Sequence, residues 1–385
     1  MKSKKTAAGK GAVRMSCAVP AAMLAAAVLA GCAGGVIQSN QRPTLTPALF
    51  SDLPGWSQDS QAEAVAALRR SCPHLSNGEG TRILTSAGEI RTSAEAWRRV
   101  CVAALGISRD NNSGARSFFE HNFDVLAVSA PGTDGRFTGY YEPVIRGSRV
   151  PSRRFTIPVY RRPPDLEANK PYLTRTEIES GALRGRGLEL AYVDDAIGLF
   201  EMQVQGSGRI ALAEGGVMRV GFDGSNNQPY RALGQVLVEE GSLPADQATW
   251  PAIRNWLQEN PAKAREAMRK NERYIFFKDT RGEGAIGAQG VTLTSGRSMA
   301  VDPAYVPYGQ PVYIDTTRPA WRRPGETVLF RRLMVAQDTG SAIRGPVRGD
   351  VFFGAGSAAA DSAGRMNSPG RWWILVPRED LTGDH

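Results

Sequence analysis

From Arg136 to Pro377 the chain is built mainly of short apolar runs closed by Gly, Pro, Asp or Asn: FTGYY, FTIPVY, GLFEMQVQ, MRVGF, PVYID, LMVAQD, DVFFG and RWWILVP. Runs this short, rich in aromatic and β-branched residues, read as strands. Tyr274 to Phe277 reads as a further strand, and Lys278 to Gly290 as the loop after it. Helical spacing interrupts the β texture only at Gln228 to Gly241 and at Trp250 to Lys270, the latter restarting at Pro261. Strands that do not alternate with helices argue against a doubly wound parallel sheet, and no fixed-period repeat points to a solenoid. A mainly β chain with peripheral helices is expected. Its 385 residues suffice for about two domains.

Before Arg136 the pattern is different. Ser60-x-x-Glu63 and Thr92-x-x-Glu95 each lead into apolar residues at helical spacing, which predicts two capped helices, and a third is expected over Ala115 to Phe123. Further upstream, Lys2, Lys4, Lys5, Lys10 and Arg14 precede an apolar run from Ala18 to Ala30. This is the layout of a secretory signal, too short to span a bilayer. It ends in Leu29-Ala30-Gly31-Cys32, small residues before a cysteine as in a bacterial lipobox. Residues 1–31 are therefore expected to be removed and Cys32 lipidated. Residues 32–58, rich in Gly, Ser, Thr, Gln and Pro, are expected to form a tether.

Of 47 basic residues the five named above leave with the signal, so the excess over 38 acidic residues is only +4. That is no nucleic-acid footprint. Of four cysteines, Cys17 departs and Cys32 carries lipid. Cys72 and Cys101 remain in an oxidising compartment, as one disulfide or as two buried thiols.

Histidines are confined to His74, His121 and His385, scattered and without ligand spacing. A zinc site or a histidine-activated nucleophile is disfavoured, so carboxylates are expected to carry acid–base chemistry, with no metal and no organic cofactor. Three aspartates adjoin strand ends: Asp302 before Pro303, Asp338 before Thr339-Gly340, and Asp350 before Val-Phe-Phe-Gly. The first two are also ordinary turn starters. Asp350 has the apolar, aromatic neighbours that desolvate a carboxyl group and suit it to general acid work.

The motifs Phe137-Thr138-Gly139-Tyr140-Tyr141-Glu142-Pro143, Val204-Gln205-Gly206-Ser207-Gly208 and Pro229-Tyr230-Arg231-Ala232-Leu233-Gly234, followed by the three aspartate segments in order, give Phe137 to Arg378 a specific likeness. This stretch resembles the MltA-type membrane-bound lytic murein transglycosylases with their C-terminal three-aspartate (3D) domain. The resemblance implies a double-psi β-barrel formed by residues 59–143, with their N-terminal helices, and by 288–380. A second β domain, 144–287, is inserted between these parts, with a groove at the junction. It implies cleavage of the bond between N-acetylmuramic acid and N-acetylglucosamine in peptidoglycan glycan strands, giving 1,6-anhydromuramyl ends. Asp350 would be the single acid and base, supported by Asp338 and Asp302, with Asp338 raising the pKa of Asp350 or ordering hydrogen bonds. Thr138, Tyr140, Gln205 and Ser207 would bond sugar hydroxyl and acetamido groups, Gly206 would permit close approach, and Tyr141 would stack on a pyranose face. A lipid anchor followed by Ala33 implies the periplasmic face of the outer membrane, with cell-wall synthesis or division proteins as further partners. The competing readings are a non-catalytic peptidoglycan-binding lipoprotein and a hydrolase or aspartic protease using Asp338 and Asp350 together. The chain departs from the family at Asn227, where Gly is usual, and at Glu272-Arg273, in a turn usually built of smaller residues.

Overall fold

The computed structural model describes residues 42–379 apart from 132–134, 283, 322 and 324. The signal segment 1–31, Cys32 and His385 lie outside the described residues.

Among the described residues, six strands close into a ring in the order Gly135–Glu142, Arg348–Ala355, Ser298–Val301, Thr327–Asp338, Pro311–Pro319 and Asn367–Pro377, the last pairing again with the first. Two of the pairings are parallel, Gly135–Glu142 with Arg348–Ala355 and Ser298–Val301 with Thr327–Asp338. Alternation decides what each side chain meets. Phe137, Met299, Val312, Met334, Ala336, Val351 and Trp372 pack together in one core cluster. Tyr313, Leu333, Val335, Trp373 and Leu375 belong to another, shared with the helices. Burial on both faces explains why these strands read as unbroken apolar runs.

The helices on that face are Gln61–Asn77, Ala94–Leu105 and Asn112–Asn122. Cys72 and Cys101 join the first two through a disulfide with Cα atoms 5.6 Å apart. A hairpin, Thr81–Thr85 with Gly88–Thr92, lies between them in sequence. The caps differ from expectation. Ser93, not Thr92, accepts the Ala96 amide. Ser60 makes no side-chain cap, because Glu63 is drawn instead to Arg297, whose Nε donates to it at 2.9 Å. Arg297 is fully buried and donates to both carboxylate oxygens of Asp59 at 2.8 and 2.9 Å. A buried cation is tolerated only with such complete pairing.

The tether over 32–58 is corrected for its described part. Thr44–Ala48 is a strand paired antiparallel with Phe123–Ser129, which extends the ring sheet beyond Asn367–Pro377. Leu53 and Trp56 are buried in the helical core. The polar composition concealed two large apolar anchors, whose burial is worth about 2 kcal/mol each.

Between residues 144 and 279 the chain forms a second six-stranded sheet, in the order Ile275–Asp279, Val217–Ser225, Ser207–Leu212, Val144–Ser148, Glu189–Val193 and Ile157–Tyr160. GLFEMQVQ is not a strand as expected: Ala196–Gln205 is a helix. Its start is set by Asp195, which accepts the Gly198 amide, and its end by Gly206 at φ 78°. Gly198 to Gln203 are all buried, so the helix shows no polar face from which its period could be read. Leu199 and Met202 pack on the sheet, while Phe200 packs with Leu233, Leu237, Ile253 and Leu257 of the neighbouring helices. The helix Pro261–Arg269 begins at the expected proline.

Candidate active site

Register brings the aspartates together. Ala300 pairs with Asp338 on one side and with Asp350 on the other, and Asp350 pairs in turn with Thr138. Residues opposite one another on paired strands share a face. Asp338, Ala300, Asp350 and Thr138 thus form one row across four strands, and the small Ala300 side chain leaves space between the two acids.

Thr138 donates its hydroxyl proton to Asp350 Oδ1 at 2.6 Å and accepts from Arg348 Nη2 at 2.8 Å. A guanidinium can only donate, so the threonine must spend its own O–H on the carboxylate. Among the described residues nothing donates to Asp350 Oδ2, and Asp350 lines a cavity of about 650 Å³. Burial pushes the Asp350 carboxyl above its ordinary pKa, while the Arg348 charge and the Thr138 bond pull the other way. Burial, rather than the charge of Asp338, is the leading cause.

Asp338 has a different task. Its Oδ1 accepts the Ala288 and Thr339 amides, both at 2.9 Å, and its Oδ2 accepts the Tyr140 hydroxyl at 2.8 Å. It therefore ties two loops and a phenol into one wall of the cavity. Burial raises it to about 6 despite these three donors. Tyr140, raised well above its ordinary value first by burial and then by Asp338, stays a neutral donor. Asp302 is buried outside the cavity lining. It accepts the Gly345 amide at 2.9 Å and the Ala304 amide at 3.1 Å, pinning the segment that leads to Asp350.

The inserted sheet supplies the opposite wall. Gln205, Gly206, Ser207, Tyr230, Arg273 and Lys278 line the cavity. Gln205 Oε1 accepts the Tyr141 amide at 3.0 Å, which turns its NH₂ group to other partners. Gly206 is required by the left-handed turn at the helix end rather than by close packing, since a Cβ there would meet nothing within 4 Å. Gly139 is different: a Cβ would come within 2.8 Å of Ala363, so the glycine lets the helix Ser357–Arg365 lie against the strand.

Two expectations fail in detail. Tyr141 is buried away from this cavity, and its hydroxyl donates to Glu201, which also accepts from Arg254 at 3.0 Å. Thr138 does not line the cavity but holds the residue that does. Arg348, Tyr230, Arg273 and Arg344 were not anticipated. Arg348 stands two positions before Asp350 on one strand, a spacing that puts both on the same face, and Tyr230 lies in a motif already singled out. Asn227, the departure from glycine, adopts φ 56° and donates to the carbonyls of Glu167 and Lys170. Asparagine is the side chain that best tolerates that conformation.

Residues 136–278 match the model of the MltA specific insert domain, and residues 297–376 that of the 3D domain. A membrane-bound lytic murein transglycosylase A of Vibrio cholerae is 33% identical over 261 residues, 66% of this chain and 69% of that protein. The chain belongs to the MltA family. Its fold matches the membrane-bound lytic murein transglycosylase of Agrobacterium tumefaciens with a TM-score of 0.77 and 31% identity, covering 87% of this chain and 98% of that one. Escherichia coli MltA with bound chitohexaose matches with a TM-score of 0.66 and 27% identity, over 88% of this chain and 97% of that one. Both MltA domain matches contribute to the cavity: Gln205, Tyr230 and Arg273 fall in the insert match, and Asp338, Arg344 and Asp350 in the 3D match.

Proposed function

We infer that the chain is a lytic transglycosylase of peptidoglycan in which Asp350 is the one catalytic residue. The observation that carries this reading is a carboxyl group with a raised pKa, one oxygen tied to Thr138 and the other unbonded, in a cavity that also displays amides, hydroxyls and phenols. Protonated Asp350 gives its proton to the glycosidic oxygen as the C1–O bond of N-acetylmuramic acid breaks, releasing N-acetylglucosamine as an alcohol. The muramyl C6 hydroxyl then attacks C1, and its proton passes to the Asp350 carboxylate, restoring the acid. No water is consumed, and the muramyl product is an internal 1,6-anhydride. Glycosidases that use water need a second carboxylate, whereas here the sugar carries its own nucleophile. The three donors already bound to Asp338 support giving it a positioning role.

Gln205 and Ser207 would bond the sugars, with Tyr140 and Tyr230 bordering the ring nearest Asp350. The closed ring and its two parallel pairings support a double-psi barrel, with 144–287 as the inserted domain and the groove between them. Leu29-Ala30-Gly31-Cys32 supports lipidation at Cys32 and attachment to the periplasmic face of the outer membrane. Among the described residues no helix is long and apolar enough to cross a membrane.

Digestion of purified sacculi by the wild type and by Asp350→Asn tests the reading. Products lighter by one water and resistant to borohydride are expected from the wild type and absent with the variant. Reducible ends would establish a hydrolase, no products a binding module, and full activity of the variant would remove Asp350 from the mechanism.

A further inference from the structure

Among the cavity residues that this mechanism leaves unused are two arginines on facing walls. Arg273 and Arg344 face the same space from opposite walls, one from the inserted domain and one from the 3D segment. Both stand on pinned turns. Arg175, almost fully buried, donates to the Asn271 carbonyl at 2.8 Å and to the Arg273 carbonyl at 2.6 Å, while Asn226 holds the Glu272 carbonyl and the Tyr274 amide, each at 2.8 Å. On the other wall Asp302 holds the Gly345 amide, and the Thr339 hydroxyl donates to the Val301 carbonyl at 2.8 Å.

Neither guanidinium is neutralised by a hydrogen-bonded carboxylate. Among the described residues the Arg273 guanidinium donates only to the Ser225 hydroxyl, at 3.2 Å. Arg344 approaches Asp302 no closer than 3.7 Å, and both oxygens of that carboxylate already accept backbone amides. The two cations also feel one another: burial and then the charge of Arg344 depress the Arg273 pKa. Two guanidinium groups lining one cavity, Arg273 with a hydroxyl as its hydrogen-bond partner and Arg344 half-exposed and only loosely paired with Asp302, leave donors that a shared anion can engage, and planar donors match a carboxylate in particular.

We propose that Arg273 and Arg344 form a clamp for a carboxylate carried on the muramyl substituent, so that the site selects glycan bearing acidic stems over the uncharged sugar backbone. The proposal rests on the peptidoglycan reading, because chitin-type strands present no such group. The carboxylate could come from the peptide stem or from the lactyl ether that a stem-free muramyl residue exposes, and the two are separable by choice of ligand.

The test is calorimetric binding to the full chain carrying Asp350→Asn, which removes turnover. The ligands are a glycan oligomer with peptide stems, the same oligomer with its stem carboxylates amidated, a stem-free oligomer, and chitohexaose. Expected is a preference of roughly tenfold to a hundredfold for the acidic oligomer over its amidated form, the range for charge-assisted bonds. Arg273→Gln with Arg344→Gln abolishes that preference and leaves chitohexaose affinity unchanged. Strong binding of the stem-free oligomer with the same arginine dependence assigns the lactyl carboxylate as the ligand. Equal affinity for acidic and amidated oligomers, together with stem-free oligomer bound no better than chitohexaose, overturns the proposal with no arginine substitution needed, so misfolding of the double variant cannot protect it. Loss of chitohexaose binding in a normally folded double variant also overturns it. Wild-type digestion of sacculi is a separate arm: failure to form anhydro ends while the arginine-dependent preference persists removes the catalytic reading and leaves the clamp.

Discussion

The two walls of the cavity are built on different plans. On the barrel wall, Asp338, Ala300, Asp350 and Thr138 are fixed by ladder register across four strands, so their spacing is as rigid as the sheet itself. On the inserted wall, Gln205 and Gly206 stand at a helix end, and Arg273 stands in a turn before Ile275–Asp279. In the proposed mechanism, chemistry that depends on placing one oxygen within a fraction of an ångström sits on the ladder. Recognition, which tolerates adjustment, sits on segment ends. Mutations in the first wall should therefore act mainly on kcat and those in the second mainly on KM.

The largest effect tests the barrel wall directly. Asp350→Asn keeps the Thr138 bond but cannot cycle a proton, and kcat on soluble glycan is expected to fall about 10³-fold with KM little changed. A variant that loses affinity instead would contradict the division.

Asp338→Asn comes next and concerns stability. The folded pKa of Asp338, about 6, exceeds the ordinary 3.8. Such an acid weakens the fold when ionised: the penalty is absent below about pH 3.8, grows through the interval, and is complete above about pH 6. The asparagine variant is expected to gain about 1–2 kcal/mol at pH 7.5 in denaturant unfolding, after allowing for partial exposure, and nothing near pH 3.5. A gain that persists at the lower pH would mean that the charge is not its source.

Thr138→Val removes both a bond to ionised Asp350 and one of the acceptors of Arg348. The expected result is a kcat about tenfold lower. Because the lost bond favoured the carboxylate, the alkaline limb of the rate profile should also move to higher pH. An unmoved limb would mean that the Thr138 bond does not set the protonation of Asp350. The smallest effect belongs to the inserted wall: Gln205→Ala should raise KM about fivefold and leave kcat within about twofold.

Parts of this design were legible in the chain and parts were not. The strands PVYID, LMVAQD, DVFFG and RWWILVP were readable because burial on both faces leaves an unbroken apolar signature. GLFEMQVQ failed for a related reason: a helix buried on nearly every side loses its polar face and imitates a buried strand. Residues 42–58 failed because their apolar residues follow neither a helical nor a strand period, and only the contacts of Leu53 and Trp56 reveal them as core. Tyr141 was drawn to the sugar by its neighbours, yet strand alternation turns it from Tyr140 toward Glu201.

The sequence by itself pointed to carboxylates for the proposed acid–base work, since its three histidines are scattered. It also held Asp350 in an apolar segment and the pattern of strands around it. Only the tertiary structure decided which acid would have an unbonded oxygen. Among the described residues Asp338 acquires three donors and Asp350 one, from residues such as Thr138, 212 positions away. Ladder register and the closure of the ring create that difference, and burial at the ring's edge then sets both acids above the ordinary carboxylate range. Local spacing carries no information about which strands will lie side by side, whereas desolvation depends on little else.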